Sequence, residues 1–134
     1  MIQFREYTHE DYPLLMTWWK AHGWEGVPAA VLPKLGMIIE ADGRPIVAGF
    51  LYMDNSVGVS MLEWVVSNPD ESGFSVIRGI KALVGFMTER AYDLGYGVML
   101  TSCRQSSLVR VYEASGFSKT DIGVVHLQKF TEKQ

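Results

Sequence analysis

The chain has little with which to cross-link itself or cross a membrane. It has one cysteine, Cys103, in 134 residues. No internal disulfide can form, and no zinc-type spacing of cysteine and histidine surrounds that residue. A lone thiol fits a reducing compartment, and a cytoplasmic location is expected. No metal site is expected. The longest apolar stretches fall far short of the roughly 20 residues that span a bilayer. The opening "MIQFREYTHEDY" is polar and charged from Gln3 onward, unlike a signal peptide. An excess of basic charge is also missing. Twelve Lys and Arg against 15 Asp and Glu give a net charge of −3, without the basic footprint of a nucleic-acid partner. There is no repeat, linker or low-complexity run.

What is present suits a folded globule. Hydrophobic residues make up 48% and charged residues 20%, enough to bury a core, and one domain over residues 1–134 is expected. Residues 2–7 alternate like a strand. Thr8 precedes a helical pattern in which Tyr12, Leu15, Met16 and Trp19 share a face, stopped by Gly23. A short helix is expected at Pro28–Leu32. Three antiparallel strands follow, at 37–41, 44–54 and 57–67, with Asp42-Gly43 as the first turn and Asp54-Asn55-Ser56 as the second. Asn68-Pro69-Asp70 ends the meander. The longest helix is expected from Phe74 to Leu94, with a stripe through Ile77, Ile80, Val84, Met87 and Ala91, and Gly95 as its stop. A strand at 97–103 reached through that helix should lie parallel to 57–67. A helix at 106–115 ends at Gly116, and residues 117–130 read as a final hairpin. The fold class is α/β (α+β): a mixed, mostly antiparallel twisted sheet with helices on both faces.

The order of elements and the segment "ERAYDLGYGVMLTSCRQSSLVRVYEASGF" resemble the GCN5-related N-acetyltransferase (GNAT) superfamily. In that family a long helix ends in a segment like "ERARELGY". A strand, an Asn and, seven residues later, a Tyr in "LYEKLGF" follow. Here Gln105 stands at the Asn position and Tyr112 in register with the Tyr. The resemblance covers nearly the whole chain and implies acetyl-CoA, or another acyl-CoA, as cofactor. It implies a small-molecule or peptide amine as acceptor, and two parallel strands, 57–67 and 97–103, splayed to admit the pantetheine arm. Unpaired backbone groups in such a gap give the arm something to bond.

The resemblance places Tyr112 near the CoA sulfur, where a neutral phenol can serve a departing thiolate as acid. The residues alone leave a second reading, a ring packed between helix and sheet. Glu63 lies inside the apolar run "SMLEWVV". Partial burial there would raise its pKa and suit a general base, the role of a glutamate in this strand in many family members. Exposure would make it an ordinary strand residue. Strict alternation sets Glu63 with Met61, Val65 and Ser67, opposite Leu62, Trp64 and Val66.

For the cofactor, the resemblance points to Val65, Val66 and Ser67, a Val65 or Val66 amide polarising the thioester carbonyl. It also points to Gly73, Phe74 and Ser75 at the start of the long helix, and to Gln105 and Ser107 at the start of the last. The pyrophosphate loop departs from the family's Gln/Arg-x-x-Gly-x-Gly/Ala. Asp70-x-x-Gly73-x-Ser75 keeps the spacing with an acid in the basic slot, and Asp70 and Glu71 repel diphosphate. A non-catalytic binding module on the same fold is therefore a second reading. The acceptor side offers an aromatic and polar wall: Trp18, Trp19, His22, Trp24, Glu25, Tyr52, Asp54 and His126. Trp24, Glu25, Tyr52 and His126 are its candidate substrate residues, with Trp19 expected in the core and Trp18 partly exposed. A homodimer is compatible with the family.

Overall fold

The computed structural model describes residues 1–103 and 106–131, Ser106 by its backbone. Five strands form one sheet in the order β1-β2-β3-β4-β5. They are β1 (Ile2–Glu6), β2 (Gly36–Ala41), β3 (Arg44–Met53), β4 (Val59–Ser67) and β5 (Val98–Thr101). The first three pairings are antiparallel and β4 with β5 is parallel. The helices are α1 (Tyr12–Ala21), α2 (Gly73–Asp93) and α3 (Ser106–Ala114). The expected short helix after α1 is a single 3-10 turn, Ala29–Val31.

Local chemistry accounts for most boundaries. Asp42 (φ 52°) and Gly43 (φ 79°) adopt the left-handed pair that a two-residue hairpin requires. Asn68 ends β4 by donating its amide to the Pro45 carbonyl at 2.9 Å and accepting from the Asp70 N–H at 2.9 Å. Ser72 caps α2, its hydroxyl accepting from the Ser75 N–H.

Two apolar layers hold the sheet. On one face Ile80, Leu83, Val84, Met87 and Ala91 of α2, with Tyr112 of α3, cover Ile39, Val47, Leu51 and Leu62. On the other, Leu15, Trp18 and Trp19 of α1 pack on Ile38, Ala48, Phe50 and Val66. Trp18, expected to be partly exposed, is buried: it points at the sheet beside Trp19. The α2 stripe also shifts. Leu83 joins it, while Ile77 is 42% exposed and faces the cavity described below.

The expected final hairpin is absent among the described residues. Residues 117–131 form no strand, and Ile122, Val124, Val125, Leu127 and Phe130 are exposed. A two-stranded hairpin is marginal without a sheet to pack on. Here the neighbouring strand, β5, is only four residues long.

Candidate functional site

The site begins where two strands part. β4 and β5 face each other from Val59 and Val98 as far as Leu62 and Thr101. β4 then runs on to Ser67 with β3 as its only strand neighbour among the described residues. At the parting β4 carries one extra residue. Phe50 faces Glu63 and Ala48 faces Val66, so Trp64 and Val65 together oppose Gly49. Trp64 has φ 58°, the left-handed region, where a bulky side chain is a genuine outlier. Such a bulge bends and twists its strand, turning the end of β4 away from the line of β5. Glycine opposite the bulge is a packing requirement. A Cβ on Gly49 would lie 2.6 Å from Leu83 Cδ2 and 3.2 Å from Val65 Cγ2.

The bulge also corrects the strict alternation expected for β4. Leu62 belongs to the α2 layer and Val66 to the α1 layer, although they are four residues apart. Val65 packs on the α2 side. Glu63 lies opposite Phe50 and shares its face, the α1 side. Trp64, expected opposite Glu63, is turned to that same side. Its indole N–H donates to the Tyr52 hydroxyl at 2.7 Å, and Tyr52 alternates with Phe50 along β3.

A cavity of about 270 Å³ opens at the parting, lined by His22, Trp24, Val65, Ser67, Gly73, Val76, Ile77, Ile80, Ser107, Leu108 and Val111. Its walls come from the end of β4, the first turns of α2 and α3, and the segment after α1. His22 holds that segment in place. Its Nε2 lies 2.9 Å from the Ser67 carbonyl oxygen, and its ring stacks on Trp24 at 4.7 Å. A second hollow, lined by Asp54–Gly58 and Leu94–Tyr96, sits at the opposite end of β4.

Glu63 and Tyr112 stand at the parting on different elements, near enough for the Glu63 charge to act on the phenol. Burial pushes the Glu63 carboxyl above its ordinary value, while a hydrogen bond from Ser102 and the charge of His126 pull it back. Ser102 Oγ lies 3.1 and 3.3 Å from the two carboxylate oxygens. Tyr112 is 4% exposed. Burial pushes its phenol well above the ordinary value. A hydrogen bond with Thr101 opposes this, and the charges of Cys103 and Glu63 add to it. The phenol is therefore neutral and keeps its proton at any physiological pH.

"YEASGF" is the machinery that fixes Tyr112. Phe117 N–H donates to the Tyr112 carbonyl at 3.1 Å, Gly116 N–H to the Glu113 carbonyl at 3.1 Å, and Gly116 has φ 102°. This is a Schellman ending, and the accompanying apolar contact is the Tyr112–Phe117 ring pair at 5.3 Å.

The start of α2 is partly closed by the chain itself. The Ser75 N–H is taken by the Ser72 hydroxyl at 3.2 Å, and the Val76 N–H by the Ser72 carbonyl at 3.0 Å. The Gly73 and Phe74 N–H groups precede any in-helix acceptor. Gly73 faces open space. Glu71 is held by Arg44 at 3.1 and 3.4 Å. The hydrogen bond to Arg44, with Arg44's charge and a bond from the Ser75 side chain, keeps its carboxyl below the usual range, and desolvation opposes them.

No protein-family model and no curated protein matches the chain by sequence. Solved structures do match its shape. The ribosomal-protein-S18-alanine N-acetyltransferase from Escherichia coli superposes with a TM-score of 0.74 at 15% identity, over 90% of this chain and 80% of that one. Glucosamine-6-phosphate N-acetyltransferase from Arabidopsis thaliana gives 0.65 at 15%, over 98% and 99%. AAC(6')-Iy, in complex with a CoA-linked bisubstrate analogue, gives 0.65 at 17%, over 97% and 99%. The chain has the GNAT fold.

Against that fold, the expected site residues divide. Val65, Ser67, Gly73, Ser107 and Trp24 line the cavity. Glu63 and Tyr112 stand at the strand parting within reach of each other's charge, and His126 is near enough for its charge to act on Glu63. Tyr52 reaches the site through Trp64. Val66 faces the α1 core, Phe74 is exposed and Ser75 is bonded to Ser72. Glu25 is exposed and outside the cavity lining. Gln105 lies outside the described residues. Sequence reasoning missed Thr101 and Ser102. The signal was available, because they end a parallel strand, where open α/β sheets place their ligands. It also missed Trp64, for which alternation gave the wrong face.

Proposed function

We propose that the chain is an acyl-CoA-dependent N-acyltransferase, one domain over residues 1–134. It passes an acyl group, acetyl in the simplest case, to a primary amine in a direct ternary complex. The observation that carries this reading is the parting of β4 and β5 after Leu62 and Thr101, with Glu63 and Tyr112 at the fork. The GNAT fold of the neighbours named above supports it.

The walls suit the arm of a CoA thioester. Val65, Val76, Ile80, Leu108 and Val111 offer an apolar channel, and the edge of β4 beyond Leu62, which faces no strand among the described residues, offers backbone groups to an extended chain. The diphosphate end fits less well. Gly73 and Phe74 supply amides at the positive end of α2, but Glu71 stands beside them. When bound, acyl-CoA supplies an activated carbonyl and a thiol leaving group. The chain's own groups do the rest. Glu63, poised by burial, takes the proton of the acceptor ammonium, and Ser102 steadies the carboxylate. A Val65 or Val66 amide steadies charge developing on the carbonyl oxygen. Tyr112, kept neutral, would give its proton to the departing sulfur as the carbon–sulfur bond breaks, and would regain one from the second proton that the acceptor nitrogen loses on becoming an amide.

Calorimetric titration with acetyl-CoA tests the reading. Saturable heat in the micromolar to millimolar range is expected, and none at millimolar cofactor would sink it. The self-capped start of α2 favours a second reading, a GNAT-fold binding module without turnover. Saturable acetyl-CoA binding with no thiol release in the presence of any amine would select that one.

A further inference from the structure

Trp64 is an odd residue to find where it is. A left-handed backbone position in mid-strand favours glycine or asparagine, and a large aromatic there adds strain. Its indole is nonetheless fixed by a relay. The N–H donates to the Tyr52 hydroxyl at 2.7 Å, and that hydroxyl donates to the Val31 carbonyl at 2.6 Å. The residue is 39% exposed and lies outside both core layers, so the relay does not serve core packing. It holds a bare aromatic surface still, next in sequence to Glu63 and on the same side of the sheet. Met61 lies opposite Tyr52 in the register, shares that side and is 41% exposed. Val31, whose carbonyl ends the relay, is 45% exposed.

One carboxylate thus sits at the edge of a rigid apolar floor made by Trp64, Met61 and Val31. We infer that this floor selects the acceptor: a primary amine carried on an apolar, aromatic body rather than on a sugar or another polar carrier. The ammonium meets Glu63, the ring lies on the indole, and the indole face also attracts the cation. The inference deepens the acyltransferase reading and rests on it for the role of Glu63. Trp64 acts as the specificity-determining residue, with Tyr52 as its positioning residue.

The test is equilibrium binding without acyl-CoA, read from the indole resonances in two-dimensional NMR. 2-Phenylethylamine is compared with ethanolamine, since both are ammonium ions at neutral pH. The aromatic amine should bind at least about fivefold more tightly and move the Trp64 indole signal, a preference of the size that cation–π and ring contact supply. Trp64→Gly, which relaxes the backbone while deleting the ring, should abolish the preference. Trp64→Asn, also at home in the left-handed region, is the second variant, and far-UV circular dichroism checks that each is folded. Tyr52→Phe should reduce the preference while leaving the ring in place. Equal binding of the two amines, no binding of either, or a preference that survives in a folded Trp64 variant overturns the inference. A chain that shows the preference yet takes no acetyl-CoA would sustain the inference about the floor and end the acyltransferase reading.

Discussion

Leu62 of β4 and Thr101 of β5 are the last residues at which the two parallel strands face each other, and the Thr101 hydroxyl closes that pair by donating to the Leu62 carbonyl at 2.6 Å. The Tyr112 phenol lies close enough to the same Thr101 for that side chain to act on it. The proposed acid thus stands at the hinge of the fork. A group placed there meets whatever enters the gap at a fixed height along the strands.

Tyr112→Phe removes the hydroxyl and keeps the ring with its Phe117 contact. Turnover should fall about a hundredfold, the lower range of a lost general acid, while the KM for acetyl-CoA stays within about twofold. Stability should drop by only about 1 kcal/mol, the worth of one hydrogen bond. Steady-state kinetics and a thermal melt read both. Unchanged turnover would leave Tyr112 a packing residue.

Glu63→Gln separates two consequences of a raised carboxyl. A group that holds its proton more tightly when folded lowers stability as pH rises from its ordinary 4.5 through the raised folded value. The glutamine variant lacks that loss. It should be the more stable protein at neutral pH and lose its advantage below about pH 4. Denaturant melts across pH check the sign. In kinetics the native enzyme should lose activity as pH falls through the raised value, and the variant should lack that limb. A native acid limb retained in the variant would remove the base assignment.

Glu71→Gln tests the phosphate end. Its carboxylate binds Arg44 and Ser75 beside the start of α2. Neutralising it frees those donors and removes a like charge from the diphosphate. Acetyl-CoA affinity should rise about two- to fivefold at low salt, and the gain should shrink as ionic strength increases. Calorimetry at two salt concentrations reads it. Weaker binding in the variant would mean Glu71 orders the loop instead.

Gly49→Ala probes the bulge from its partner strand. The new methyl group would meet buried Leu83 at 2.6 Å. Overpacking of this kind costs about 1–3 kcal/mol. Chemical denaturation gives the value, and a neutral result would show that α2 can withdraw from β3 freely.

The Asp42-Gly43 hairpin, the α2 crossover, the parallel β4–β5 pair and the helix end at Gly116 could all be read from the sequence. Each depends on neighbours in the chain or on a handedness rule. Trp64 could not. A bulge depends on which residue of the partner strand lies opposite, and no local pattern reports that; strict alternation then sends every later side chain to the wrong face. The burial of Trp18 and the placing of His22 against Ser67 have the same origin, since both depend on where α1 lands on the sheet. Residues 117–130 alternate well enough to read as a hairpin, yet pairing also needs a neighbour long enough to receive it.

The central claim is that the gap between β4 and β5 receives an acyl-CoA thioester. The most direct measurement is the amide NMR spectrum titrated with acetyl-CoA. The account predicts saturable shifts at Val65, Val66, Ser67 and Gly73, with Ser102 and the last turn of α3 following. No shift up to millimolar cofactor, or shifts confined to the hollow at Asp54–Gly58 and Leu94–Tyr96, would contradict it.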